Sequence, residues 1–189
     1  MCAVLLLDSD LQRIGGGSLI ARGIVLTAAH IVAKFRENPK ALVVRCGDYD
    51  SQGDSEPRGH QDRGVRALEI HWGFEEGTTI QYNNLAVLFM EQEFELAEHI
   101  GPVCLPHPDD VFDNQTNCFA TGWGKVKTNR KKRIPGILKE IPLHVVEDAE
   151  CEKTYQTWPE FNRYELHDSL LCAATYGDTC IVDGGGLVS

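Results

Sequence analysis

Short apolar runs separated by clusters of Gly, Pro, Asn and Asp dominate the chain, and this punctuation predicts strands rather than helices. A first set covers residues 3–7, 17–20, 24–28, 41–45, 65–71 and 85–90. A polar connection over 91–101 follows, and then Pro102-Val103-Cys104-Leu105-Pro106, a linker stiffened by two prolines whose rings restrict φ. A second set covers 118–122, 138–145, 169–173 and 186–189. Charged and apolar residues recur at helical spacing over 147–155, the one helix predicted. No repeat is visible at a fixed period. The pattern therefore predicts an all-β protein in two halves of similar size, residues 1–101 and 118–189, joined by 102–117.

Composition narrows the function classes. The 189 residues are 42% hydrophobic and 24% charged, ordinary for a globular chain. A net charge of −10 argues against nucleic acid and anionic membrane as partners, because both need clustered Lys and Arg. The only basic run is 127–133, which reads as a solvated loop between strands. No apolar run approaches the length of a membrane span. The apolar opening through Leu7 meets Asp8 and Asp10 at once and reads as a buried strand rather than a leader. Seven cysteines (2, 46, 104, 118, 151, 172 and 180) form no Cys-x-x-Cys pair, so disulfides in an oxidising compartment fit better than zinc. An odd number leaves at least one without a partner in this chain. Asn114-Gln115-Thr116 is the single N-glycosylation sequon.

Five blocks stand in one order along the whole chain. These are Gly16-Gly17-Ser18-Leu19-Ile20, Leu26-Thr27-Ala28-Ala29-His30, Tyr82-Asn83-Asn84-Leu85-Ala86, Cys118-Phe119-Ala120-Thr121-Gly122-Trp123-Gly124 and Gly177-Asp178-Thr179-Cys180-Ile181-Val182-Asp183-Gly184-Gly185-Gly186. Together they resemble trypsin-like serine proteases. The stretches 44–52, 60–63, 103–106 and 164–169 are similar to arthropod clip-domain serine protease homologs, the masquerade and prophenoloxidase-activating-factor group. The resemblance implies two antiparallel Greek-key β-barrels, residues 1–101 and 118–189, with the old active site in the crevice between them. It also implies that the family's domain continues past Ser189, so that the second barrel is incomplete here, and that a clip module precedes the protease-like region.

The resemblance assigns His30 to the general base, Asn84 to the position of the orienting carboxylate and Gly184 to that of the nucleophilic serine. Glycine carries no hydroxyl, so no acyl-enzyme can form there. An amide in place of the carboxylate favours the wrong imidazole tautomer. In the family's own catalytic triad that change costs about 10⁴ in rate, or roughly 5–6 kcal/mol of barrier. Val182 and Gly184 fall at the oxyanion-hole positions, where a β-branched Val182 crowds a substrate carbonyl. Asp178 falls at the base of the pocket that receives Arg or Lys side chains, with a solvated loop aspartate as its plainer reading.

By family pairing Cys151 bonds Cys172. Cys2 and Cys46 are additional, on strands expected to pair in the first barrel, and a bridge between them is proposed. Gly15 and Ile31 stand where the family carries the disulfide beside its histidine. The segment from Asp48 to Asp62, with Asp50, Asp54 and Glu56, corresponds to a calcium loop in some relatives, although a polar surface loop is the expected state. No cofactor and no metal are expected. The expected function is binding without catalysis, as an extracellular cofactor or decoy among cascade proteases or prophenoloxidase-like targets. An active endopeptidase of trypsin-like specificity and a degenerate paralogue are the alternatives.

Overall fold

The computed structural model describes residues 1–6, 11–53, 58–77, 80–113, 116–123 and 136–175. Six antiparallel strands close into a barrel: β1 (Cys2–Leu6), β2 (Arg13–Ala21), β3 (Ile24–Thr27), β4 (Leu42–Cys46), β5 (Gln61–Ile70) and β6 (Ala86–Met90). Their order around the barrel is β1-β2-β3-β6-β5-β4, so each strand has two neighbours and no edge is left unpaired. Alternation sorts the side chains. Ala86, Leu88 and Met90 of β6 are buried, and they meet Val4, Val25, Val44 and Val65 in one core. Gly17 has a packing reason to be glycine, since a Cβ there would lie 2.8 Å from Cγ1 of Val25. Cys2 and Cys46 face each other in the β1–β4 register and are joined by a disulfide.

A second sheet, order β7-β8-β9, comprises β7 (Asn117–Gly122), β8 (Lys139–Val145) and β9 (Ala173–Thr175). Helix α2 (Asp148–Tyr155) follows β8, and a Cys151–Cys172 disulfide ties it to the segment entering β9. Asp148 and Glu150 sit in its first turn, where carboxylates oppose the positive end of the helix dipole. The two halves meet around Trp123, only 1% exposed, which packs with Ala3 and Val43 of the barrel and Leu138 beside β8. Its indole N–H donates to the Tyr49 carbonyl at 3.2 Å, and the Arg13 guanidinium lies 5.0 Å from the ring centre. The fold is nearly all β, with one closed barrel and a second sheet that does not close among the described residues.

The structure corrects several expected boundaries. β2 begins at Arg13 instead of residue 17, because Gly15 and Gly16 pair with Val4 and Ala3 although they show no apolar pattern. β5 begins at Gln61 instead of residue 65, since its polar start pairs with β4 and is held there by Arg45 on Asp62. The 91–101 connection is not merely polar: Phe94 and Ile100 are buried in the barrel core. The strand expected at 169–173 is displaced, with Ser169 in a turn and β9 confined to Ala173–Thr175. A short helix, α1 (Ala29–Val32), had no periodic signature to announce it. The strand expected at 186–189 lies outside the described residues.

Candidate functional site

The candidate site is built where β3 ends and β6 begins. Leaving β3, the chain turns into α1, which buries Ala29, Ile31 and Val32 and leaves His30 exposed. Three apolar residues out of four thus fix the direction of the fourth. The Ala29 N–H donates to the Asn84 carbonyl at 3.3 Å, docking α1 on the turn that leads into β6. That turn is itself pinned. Asn83 takes a left-handed φ of +51°, a conformation asparagine tolerates better than most residues. Its backbone N–H donates to Ser169 Oγ at 2.9 Å, and its Nδ2 donates to the Gly73 carbonyl at 3.1 Å. Ser169 Oγ also lies 2.8 Å from Nδ1 of His167, so a loop of the second half props the turn from below.

The structure brings His30 and Asn84 together through two hydrogen bonds. The His30 backbone N–H donates to Asn84 Oδ1 at 2.9 Å, and Asn84 Nδ2 lies 2.8 Å from His30 Nδ1. The first bond fixes the amide's orientation, because a flipped side chain would set its NH₂ against a backbone N–H. With the oxygen so placed, Nδ2 can only donate to the ring, and His30 Nδ1 must accept. A neutral imidazole then carries its proton on Nε2. The second N–H of the amide donates to Gln81 Oε1 at 3.0 Å, leaving Asn84 with no free donor.

Asp178, Val182, Gly184 and Asn114 lie outside the described residues. The structure holds the Cys2–Cys46 and Cys151–Cys172 disulfides, with Cα separations of 4.2 and 6.3 Å. Among the described residues Cys104 is an exposed free thiol and Cys118 a buried one. Asp62 is taken up by Arg45 in two bonds of 2.8 Å each, and Asp48 lies 3.8 Å from the same guanidinium. An arginine therefore neutralises carboxylates of the segment compared with a calcium loop, and no metal-holding cluster is found among the described residues. Sequence reasoning missed Gln81, Asn83 and Ser169 as positioning residues. Asn83 alone carried a signal, as an asparagine at a turn; the other two depend on contacts across the fold.

A closed antiparallel barrel that presents a histidine on a single helical turn, facing an asparagine at the mouth of β6, defines the class to which this chain conforms. The sequence model of the Trypsin family matches residues 2–188, and the chain belongs to that family. Among curated relatives it is 40% identical over 174 residues to phenoloxidase-activating factor 2 of Galleria mellonella, covering 91% of this chain and 55% of that protein. It is 34% identical over 181 residues to inactive CLIP domain-containing serine protease A8 of Anopheles gambiae, covering 94% and 47%. It is 29% identical over 174 residues to serine protease filzig of Drosophila melanogaster, covering 90% and 10%. The chain thus spans about half the length of the first two relatives and a small part of the third. One of the three is named inactive.

Proposed function

We propose that this protein is a trypsin-family pseudoenzyme that works by binding other proteins. The observation that carries the proposal is the hydrogen bond from Asn84 Nδ2 to His30 Nδ1. A general base in this chemistry accepts the nucleophile's proton on Nε2 while a carboxylate accepts the proton on Nδ1. Here the amide donates to Nδ1, so Nε2 already carries a hydrogen and has no lone pair for the task. Gly184 supports the same reading from the sequence, since it offers no oxygen at the position assigned to the nucleophile. Val182 adds a branched side chain at the position assigned to an oxyanion donor.

With catalysis removed, the inherited surface is left for recognition. Two relatives are named for phenoloxidase activation and for an inactive clip-domain protease. On that basis we place the protein outside the cell, as a cofactor or decoy among cascade proteases or prophenoloxidase-like targets. Incubation with Arg and Lys ester substrates and a serine-directed phosphonate tests the proposal. The expected result is neither hydrolysis above buffer nor covalent labelling. Labelling that disappears in His30→Ala would establish an active endopeptidase and refute the proposal.

A further inference from the structure

A groove of about 620 Å³ is formed by Tyr82, two residues before Asn84, and the segment 160–168, and neither His30 nor Asn84 lines it. Its walls are half-buried and mostly aromatic: Tyr82, Phe161, Tyr164 and Leu166. Its rim is exposed and charged, with Glu160, Glu165 and Asp168 against a single Arg163. None of these three carboxylates has an ion-pair partner among the described residues. The walls are braced from several sides. Tyr82 stacks on His167 with ring centres 4.5 Å apart, and Tyr155 and Tyr164 lie 5.0 Å apart. The Leu166 N–H donates to Glu152 Oε1 at 2.8 Å, Gln156 Nε2 donates to the Tyr164 carbonyl at 2.9 Å, and the Cys151–Cys172 disulfide closes the loop. Burial, followed by the charges of Tyr82, Tyr155 and Glu152, pushes the Tyr164 phenol above its ordinary pKa.

We propose that this groove takes an arginine-bearing basic segment of a partner protein. A guanidinium stacks flat on aromatic faces and forks onto carboxylates, and a groove with aromatic walls under an acidic rim offers both at once. Lysine, as a hydrated point charge, would gain less from the walls. The chain's net charge of −10 adds a long-range attraction for such a segment. Because the loop is already braced, little ordering entropy is lost on binding. The assignment extends recognition to a named chemistry, and it stands apart from the state of His30, since affinity is read here and hydrolysis there.

Fluorescence anisotropy with a labelled Gly-Arg-Gly-Arg-Gly peptide tests it. Wild-type protein is expected to bind at low ionic strength, and the citrulline analogue is expected not to. Glu160→Gln/Glu165→Gln/Asp168→Asn is expected to weaken binding about tenfold, as removing three exposed carboxylates that face two guanidiniums would. Tyr164→Leu, which keeps apolar volume and removes the ring, is expected to weaken it by about fivefold or more. A matched triple outside the groove, Glu37→Gln/Glu69→Gln/Glu140→Gln, changes net charge equally and is expected to alter affinity less than about twofold. No binding by the wild type, equal binding of the citrulline peptide, or an equal loss in the outside triple would overturn the assignment.

Discussion

Asn84 spends every polar atom of its side chain on a defined partner, and the chemistry of the site follows from which atom meets which. The oxygen is held by the His30 backbone N–H, so the nitrogen is the atom that reaches the ring. A hydroxyl introduced by Gly184→Ser, at the position assigned to the nucleophile, therefore leaves ester hydrolysis near background, because Nε2 of His30 already carries a proton and cannot take the serine's. Adding Asn84→Asp makes both atoms acceptors and returns the Nδ1–H tautomer. The double variant is expected to exceed Gly184→Ser by up to about 10⁴ in turnover of an arginine ester, the size of the tautomer effect in the family. One position back, Asn83 holds a left-handed backbone and a side-chain bond to Gly73. Asn83→Ala is expected to cost about 1–3 kcal/mol in urea unfolding, whereas Asn83→Gly, which keeps the backbone freedom, costs less. His30 and Asn84 were each singled out by the sequence, and the fold brings the two together. Their hydrogen-bond polarity was not legible there, because it depends on a backbone N–H that only the folded turn between α1 and β6 delivers.

Short apolar runs bounded by turn residues located β3, β4 and β6 to within a residue or so, since barrel strands carry their apolar residues into the core. They missed the starts of β2 and β5, where glycines and charged residues join the ladder through backbone alone. They misplaced β9 because Ser169 to Leu171 has strand-like composition, yet Ser169 is engaged with Asn83 in a turn. The disulfides staple these elements unequally. Cys2–Cys46 spans 44 residues and Cys151–Cys172 spans 21. On loop-entropy grounds, replacing the first pair by alanines costs about 4 kcal/mol and the second about 3 kcal/mol, measured by urea unfolding. Tyr164 adds a pH dependence to the α2 region. Its phenol is raised above 10.0 in the folded chain, chiefly by burial, so folding favours the protonated form. The associated stability is present below the ordinary phenol value of about 10 and is lost as pH climbs through the raised one. Spectrophotometric titration should show a late phenolate that reverts to the ordinary range in denaturant.

For the whole molecule, the junction between barrel and second sheet rests on Trp123. The indole is buried against Ala3, Val43 and Leu138, and its N–H is satisfied by Tyr49. Trp123→Ala is expected to cost about 3–5 kcal/mol and to loosen the two halves together, visible as a lowered thermal midpoint. The membership in the trypsin family was legible because its five sequence blocks recur in order over the chain. Cross-fold supports such as Ser169 under Asn83, or Phe94 and Ile100 returning to the barrel core, were not, since nothing local in the sequence marks a long-range contact. The central claim, that the His30 ring is hydrogen-bonded in the orientation opposite to a working base, can be read at one pair of atoms. Nitrogen-15 NMR of the His30 imidazole in the folded, neutral state is the most direct measurement. The account predicts a proton on Nε2 and a pyridine-like Nδ1 that accepts from Asn84, reversed in Asn84→Asp. A proton found on Nδ1 of the wild-type ring would contradict it.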